Sequence, residues 1–533
     1  MEKPRNTDAV FTLIVLIFCL YAGAFIYRTS FIVNGERYFC LFDDTMISLR
    51  YARNLANGYG LVWNPGGEKV EGYTNPLWVV YMSLFHFLPI AQSKISILLQ
   101  ISCALFLIFN LFYVRKIAGF ISDDSKAVLL GGVFLTAFYY FLDYWSLEGM
   151  EVAPLTLIMS ASIWLSIRTL RDNKFNIWIY ISLGLGTFVR PDMVFPYLAI
   201  ASFLAAADSR NRKKNILSGA TILALCMASQ TIFRLLYYGD IFPNTYYLKL
   251  TGYPLIPRIL RGLEVFFKTI LKTGVILFLV PFAVLYSRRD KIILFLFSVI
   301  AVQVLYSIYV GGDAWERGGA NRYISVVMPA FFILFSYSLH DISGFLTDKI
   351  GGNHSIPEKI KSYILGYTYP VLLLGSIINF NFINVDIFKE FLLIREPLFT
   401  SFNKENIEQA ILIEKLTQPQ AKIAVTAAGA LPYFSARYTI DILGKNDRRI
   451  AREKMKNVYG LPISKEFVPG HTKYDFSYSI GELKPDVIVR SYVPPTEEIP
   501  FLENSYILMQ VNDKFGSCPT LWGKFGFFPL GTC

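Results

Sequence analysis

The chain has 533 residues, of which 54% are hydrophobic and only 17% charged, whereas soluble globular proteins carry roughly 25% charged residues. Its formal net charge of +11 comes from short Lys and Arg clusters between apolar stretches, which favours a membrane protein over a nucleic-acid-binding protein. The sparse cysteines suit neither a metal framework nor a disulfide scaffold, and no phosphate-binding loop or hydrolase motif of a soluble enzyme occurs.

Apolar stretches recur along the chain, and most approach the roughly 20 residues that cross a bilayer as a helix. The sequence therefore predicts a polytopic α-helical membrane protein of about eleven spans. The candidate spans are residues 9–27, 95–113, 126–142, 152–168, 175–190, 193–207, 216–236, 264–286, 291–310, 323–340 and 364–382.

The loops between these spans alternate between basic and acidic, starting with Lys3 and Arg5 before the first span. By the positive-inside rule, the basic loops and the N-terminus are cytoplasmic and the acidic loops share the outer face. The alternation holds only if the short apolar stretch 76–90, which begins with proline, lies in the outer interface instead of crossing. The polar tail from residue 385 is then also outside.

Two units are predicted along the chain. Residues 1–384 form a membrane module whose largest outer loop is 28–94, and residues 385–533 form an extracytoplasmic domain. In that domain, β-type runs at 423–425 and 487–489 indicate a small α/β fold with its own core.

Two cysteines, Cys518 and Cys533, lie in this polar tail. If the tail faces an oxidising compartment they can pair in a disulfide, and the alternative is two free thiols.

The first outer loop contains two adjacent carboxylates, Asp43 and Asp44, directly after apolar sequence. At the membrane surface, partial desolvation and nearby cations tune a carboxylate toward base chemistry, so either residue can take a proton from an acceptor hydroxyl. The alternative is that one of them caps the following helix, predicted at 45–55. The two roles are compatible on adjacent residues.

Arginines near the outer ends of helices are candidate ligands for a phosphate group. Arg50 and Arg53 lie three residues apart on the predicted helix, so they project from a similar face and suit bidentate binding of phosphate. The alternatives are a solvated helix face and contact with lipid headgroups. Further arginines of this kind are Arg190, Arg234 and Arg322.

Polar and aromatic groups in the outer loops are candidates for binding a sugar or an acceptor. For the ionised clusters, a structural salt bridge is the alternative; for Tyr73 and Trp78 it is an aromatic belt at the interface, and for His471 a loop role. The candidates are Asn64, Glu71, Tyr73, Asn75, Trp78, Glu151, Asp192, Asn244, Asp313 and His471.

The outer segments also resemble a known family. The stretch DDTMISLRYARNLANGYGLVWNPGGEKVEGYTNPLW at 43–78 is similar to the first outer loop of arabinofuranosyltransferase B-like proteins of the GT-C superfamily. The resemblance continues in LEGMEV (147–152), VRPD (189–192), RLLYYGDIFPNTYYLK (234–249), GGDAWERGGANRY (311–323), AAGALPYFSARYTIDILGKND (427–447) and PGHTK (469–473).

This resemblance implies an enzyme of the cytoplasmic (inner) membrane that moves a pentose from a polyprenyl-phosphate donor, with inversion, to an envelope glycan. In the family an Asp of the first outer loop is the base, and Asp43 and Asp44 match that place, with Asp44 slightly preferred. The chain departs from the family's G-L-E-T pattern, having Gly149, Met150, Glu151 and Val152 instead.

The sequence therefore predicts a GT-C-type inverting glycosyltransferase with a polyprenyl-phosphate sugar donor and a glycan or glycolipid acceptor. A transporter or flippase of a lipid-linked glycan is the alternative, although the chain lacks the paired halves of many transporters. A noncatalytic scaffold would make the Asp pair dispensable. No cofactor is predicted with certainty: a divalent cation could bridge the carboxylates, but no ligand spacing demands one.

Overall fold

The structure is a computed structural model that describes residues 5–316, 321–351, 357–456, 467–489, 506–510 and 520–524. Both alternatives for Cys518 and Cys533, a disulfide or two free thiols, concern residues outside the described ranges. In chain order the helices are α1 (Arg5–Arg28), α2 (Asp43–Ala56), α3 (Pro76–Phe85), α4 (Ile95–Ile121), α5 (Lys126–Ala137), α6 (Tyr140–Leu147), α7 (Val152–Asp172), α8 (Trp178–Val189), α9 (Val194–Ala207), α10 (Arg212–Tyr238), α11 (Asn244–Lys249), α12 (Leu255–Thr273), α13 (Val275–Leu279), α14 (Val284–Ser287), α15 (Lys291–Tyr309), α16 (Arg322–Ser325), α17 (Met328–Gly351), α18 (Glu358–Asn381), α19 (Val385–Phe391), α20 (Thr400–Leu416), α21 (Ala430–Ser435) and α22 (Arg448–Ala451). The strands are β1 (Phe31–Val33), β2 (Glu36–Tyr38), β3 (Lys422–Val425), β4 (Tyr438–Asp441), β5 (Val487–Val489), β6 (Tyr506–Gln510) and β7 (Thr520–Lys524).

The long helices coincide with the apolar stretches of the sequence. Within the described ranges, six helices (α1, α4, α7, α10, α15 and α17) are long and apolar enough to cross a membrane, and three bent helix pairs raise the number to nine. The shorter apolar helices α8 and α9 lie within the remaining two predicted spans but have only 12 and 14 residues, so the number of eleven spans stays a prediction. The chain is therefore a multi-pass membrane protein, and the predicted orientation of its termini stays a prediction.

Helix α3 covers the apolar stretch that was predicted to lie in the interface. It has 10 residues and begins with proline at its first turn, where the fixed backbone angle of proline suits a helix start. At 1.5 Å per residue it is about 15 Å long, roughly half the thickness of the hydrocarbon core. It is too short to cross, and it packs against α2 and α8.

The predicted acidic loops meet at one end of the helix bundle. The backbone amide of Phe42 donates to the carbonyl of Glu148 at 3.2 Å, and Asn75 donates to Glu151 at 3.2 Å. The first outer loop thus packs against the loop that precedes α7. The alternation of charge along the sequence predicted that these loops lie on one face, and their contacts agree.

The C-terminal domain is built on a five-stranded sheet in the order β4-β3-β5-β7-β6. The predicted β-type runs are β3 and β5, which pair in parallel, with Ile423 opposite Val487. One sheet face, including Ile423 and Val487, joins the core shared with the membrane helices, and the other, including Ala424 and Ile488, forms a separate small core. The domain is seated on the first outer loop through α21, which packs on α2.

Candidate active site

Asp43 and Asp44 lie in the first turn of α2, directly below the C-terminal domain. The residue that precedes this turn is Phe42, and no side chain caps the helix. The alternative that one of the two carboxylates is the helix cap is therefore wrong. The positive end of the helix dipole still stabilises the negative charge of both carboxylates.

Asp43 is held against the C-terminal domain. Its Oδ1 accepts a hydrogen bond from the backbone amide of Ala430 at 2.9 Å. The neighbouring Gly429 approaches so closely that a Cβ there would lie 2.0 Å from the carbonyl oxygen of Asp43. Burial raises the pKa of the Asp43 carboxyl to about 6, although the amide of Ala430 opposes this shift.

We expect the Asp43→Asn variant to be more stable than the wild type at pH 7.5, and the difference to vanish near pH 4. Between the ordinary pKa near 3.8 and the folded value of about 6, the folded protein binds the extra proton. Stability therefore falls as pH rises through this window, by on the order of 1–3 kcal/mol for this one group. Thermal unfolding of both proteins in detergent across pH 4 to 8 measures the difference. An equal loss of stability in the variant at every pH would contradict it.

Asp44 is clamped by two cations from distant parts of the chain. Its Oδ1 lies 2.7 Å from the ammonium of Lys445, and its Oδ2 lies 3.2 Å from Nη1 of Arg322. Burial opposes ionisation, but Lys445 and then Arg322 hold the pKa of Asp44 well below its usual range. Asp44 is thus an anion at neutral pH, with both of its oxygens engaged.

Two cavities meet at this carboxylate. The larger has a volume of about 790 Å³ and lies between the N-terminus of α2, the segment before α20 and the C-terminal domain. The smaller has a volume of about 170 Å³ and lies where α8 and α15 end and α16 begins. Asp44, Lys249 and Lys445 line both cavities, so they form the wall between them.

The smaller cavity is rich in ionised groups. Arg190 lies 2.8 Å from Glu151 and 2.7 Å from Asp192, and Arg322 reaches in from its pair with Asp44. Of the predicted residues, the structure brings this set to the smaller cavity: Asp44, Tyr73, Asn75, Glu151, Arg190, Asp192 and Arg322.

Lys249 is a cation that the sequence arguments did not select. It lies at the end of α11 and lines both cavities. Burial lowers the pKa of its ammonium to about 8, while Asp44 opposes the shift. No ion pair joins Lys249 to another of the described residues, so its charge is available to an anion that enters.

The larger cavity has an aromatic wall. Trp315 lies edge-on to Phe42, Phe399 and His471, with ring centroids 5.0 to 5.5 Å apart. Burial lowers the pKa of His471 to about 4, so its ring is neutral. The Nδ1 of His471 is 3.1 Å from the carbonyl oxygen of Pro469. As donor in that bond, Nδ1 leaves Nε2 as a hydrogen-bond acceptor.

Three of the candidate phosphate ligands are engaged elsewhere. Arg50 is 1% exposed and donates to the carbonyl oxygens of Trp63, Pro432 and Arg437 and to Asn64. Arg53 donates to the carbonyl of Tyr433, and Arg234 pairs with Glu71 at 2.8 Å. None of the three is among the described residues that line the two cavities. Arg50 and Arg53 instead fasten α2 to the C-terminal domain.

Five of the candidate sugar ligands line neither cavity and make structural contacts instead. Trp78 is buried, donates to the carbonyl of Gly149 at 3.0 Å and stacks on Tyr81. Asp313 fixes Arg322, accepting from its backbone amide at 3.1 Å. The supporting residues are Asn64, Glu71, Trp78, Asn244 and Asp313.

Within the described ranges, no group of three His, Cys, Asp or Glu side chains is arranged to hold a metal ion. The two oxygens of Asp44 already face Lys445 and Arg322. The divalent cation left open by the sequence therefore has no ligand set of its own among these residues.

Comparisons with known proteins agree with this architecture. Residues 76–233 match the family described as dolichyl-phosphate-mannose-protein mannosyltransferase, and residues 400–524 match a domain of unknown function, DUF8728. A comparison with curated proteins gives no match.

Among solved structures, the chain is similar to ArnT from Cupriavidus metallidurans bound to undecaprenyl phosphate, at 10% identity and a TM-score of 0.59, with 98% of each chain covered. It is also similar to the oligosaccharyltransferase AglB from Archaeoglobus fulgidus in complex with an inhibitory peptide and a dolichol-phosphate, at 10% identity and a TM-score of 0.55. That match covers 98% of this chain and 75% of the other. The predicted GT-C membrane fold with a C-terminal domain is thereby confirmed.

Proposed function

We propose that the protein is an inverting glycosyltransferase that moves a sugar from a polyprenyl-phosphate donor to an envelope glycan or glycolipid at the outer face of the cytoplasmic membrane. The observation that carries this proposal is the position of Asp44 in the wall between a cation-lined cavity and a larger aromatic cavity. In a transferase of this kind two substrates must meet at one base. A carboxylate that lines two cavities supports such a meeting, with one substrate in each cavity.

The smaller cavity suits the donor. Its cations can bind a phosphate, since guanidinium and ammonium groups favour phosphate oxygens. It lies at the ends of membrane helices, so a lipid tail can extend into the bilayer while its phosphate stays at the surface. The names of the similar structures support this class of donor, because they record undecaprenyl phosphate and dolichol-phosphate.

The larger cavity suits the acceptor. The ring of Trp315 offers an apolar face on which a sugar ring can stack, and His471 offers a neutral hydrogen-bond acceptor. The acceptor hydroxyl would then lie against Asp44 from this side.

The proposed reaction is a single displacement. Asp44 takes the proton of the acceptor hydroxyl, whose oxygen forms a bond to the anomeric carbon as the bond from that carbon to the phosphate oxygen breaks. The leaving polyprenyl phosphate gains one negative charge, and Asp44 loses one. Arg322 and Lys249 face the developing charge and stabilise it.

A donor panel tests this proposal. Purified protein in nanodiscs is incubated with radiolabelled polyprenyl-phosphate sugars, beginning with a pentose, together with envelope-glycan and glycolipid acceptors. We expect one donor to be consumed and its label to appear in an acceptor. No transfer by folded protein across a broad panel would contradict the proposal and favour a transporter or flippase.

A further inference from the structure

We propose that Lys445 changes partners when the donor binds, moving from the carboxylate of Asp44 to the donor phosphate, so that the C-terminal domain keeps the base occupied until a phosphate is present. This inference rests on the proposed function, and it gives Lys445 a role in both the resting and the loaded site.

The backbone of Lys445 is fixed by the loop that follows β4. Asp441 accepts hydrogen bonds from the backbone amides of Leu443, Gly444 and Asn446 at 2.8 to 3.1 Å. Such a loop cannot shift as a whole without breaking several buried hydrogen bonds.

The membrane module holds the same loop from the other side. The Nδ2 of Asn244 donates to the carbonyl oxygens of Gly444, Lys445 and Asp447 at 3.0 to 3.1 Å. Gly72 packs so closely that a Cβ there would lie 2.0 Å from Oδ1 of Asn446. With the backbone of the loop held from both sides, a movement of Lys445 takes place in its flexible side chain.

Lys445 can reach a phosphate without any movement of the backbone. It lines both cavities. Its side chain is 16% exposed and that of Asp44 is 19% exposed, so both ends of the ion pair are accessible from the cavities. A lysine presents its charge on a flexible four-carbon stem with rotatable donors, so a change of partner across one wall needs only side-chain rotation.

Arg322, the second partner of Asp44, is not free in the same way. Its Nε lies 3.3 Å from Asp313, and its guanidinium lies 5.7 Å from the ring centroid of Trp145 and 5.6 Å from that of Tyr323. The structure thus offers one anchored and one movable cation at Asp44. Among the described residues, Asp44 is the ion-pair partner of Lys445.

The exchange links donor binding to base strength. While Lys445 and Arg322 both face Asp44, the pKa of that carboxyl is held well below its usual range and the group is a weak base. A phosphate that draws Lys445 away removes one of these cations and strengthens the base. Proton removal from the acceptor then follows donor binding.

Binding of undecaprenyl phosphate to the full-length protein in nanodiscs tests this exchange without knowledge of the sugar. If Asp44 competes with phosphate for Lys445, Asp44→Asn should bind the lipid tighter, by about 5- to 10-fold. Lys445→Gln should weaken binding, Lys445→Arg should restore it, and Lys445→Gln should remove most of the gain in the Asp44→Asn background. A merely structural role of Asp44 would weaken binding instead.

Lys415→Gln is the matched control, because Lys415 is an exposed lysine of α20 in the same domain. It removes one positive charge away from the cavities and should leave the affinity unchanged. If Asp44→Asn binds no tighter than the wild type, or if Lys445→Gln and Lys415→Gln behave alike, the exchange is overturned. If the wild type itself does not bind undecaprenyl phosphate, the donor class of the proposed function fails as well.

Discussion

Replacing Asp44 by asparagine is expected to lower the rate of sugar transfer by roughly 10²- to 10⁴-fold, the usual contribution of a general base. Asparagine fills the same space but cannot take the proton of the acceptor hydroxyl. The hydrogen-bonding capacity at Lys445 and Arg322 is partly kept, so the protein should remain inserted and folded. Initial rates at saturating donor and acceptor, with the unfolding temperature measured in parallel, check both statements.

Asp172→Asn is a suitable control for this variant. Asp172 lies at the other end of α7 from Glu151, in a surface pair with Arg168 and Arg171, and its loss should leave the rate unchanged. If Asp44→Asn keeps full activity while Asp43→Asn loses it, Asp43 is the base. Full activity in both single variants would remove the assignment altogether.

Replacing Arg234 by methionine is expected to destabilise the protein by about 3–5 kcal/mol, the cost of leaving one member of a buried ion pair without its partner. Arg234 and Glu71 are 2.8 Å apart, and their side chains are 5% and 4% exposed. Burial raises the pKa of Glu71 to about 7 even beside Arg234. The stranded carboxylate should therefore cost more at pH 8 than at pH 6, where protonation relieves it.

Thermal unfolding in detergent measures this loss, and the double variant Glu71→Gln with Arg234→Met is its control. The double variant removes both charges, so it should recover much of the stability lost in the single variant. If Arg234→Met is as stable as the wild type at pH 8, the pair does not hold the first outer loop onto α10.

Composition and span length were sufficient to predict the membrane fold, because a helix that crosses lipid must be long and apolar wherever its neighbours lie. The sequence also selected Asp43 and Asp44, and both line the larger cavity, while their catalytic role stays a prediction. They follow apolar residues directly, and that boundary places them at the membrane surface whatever packs above them.

The roles of the arginines depend on contacts far along the chain. Helical spacing correctly put Arg50 and Arg53 on one face of α2, but the partner of that face is the segment around Tyr433, nearly 400 residues away. No local pattern shows that this surface is covered. Lys445 was missed for the same reason. Its carboxylate partner, Asp44, comes close only because β3 and β4 place their loops over α2.

Glu71 and Asn244 show the opposite case. Both were predicted to contact a ligand because polar groups gather in the outer loops, but the fold uses Glu71 to hold Arg234 and Asn244 to hold the loop that carries Lys445. Residue type alone does not separate a ligand from its support, since both need buried hydrogen-bonding groups.

In the proposed mechanism one carboxylate, Asp44, lies between a donor and an acceptor cavity and assists a single displacement on a lipid-linked sugar. The decisive measurement is the anomeric configuration of the product, determined by NMR after transfer from a donor of known configuration. Inversion at the anomeric carbon is the predicted result. Retention would exclude a single displacement from the face opposite the phosphate, and it would contradict the role given to Asp44.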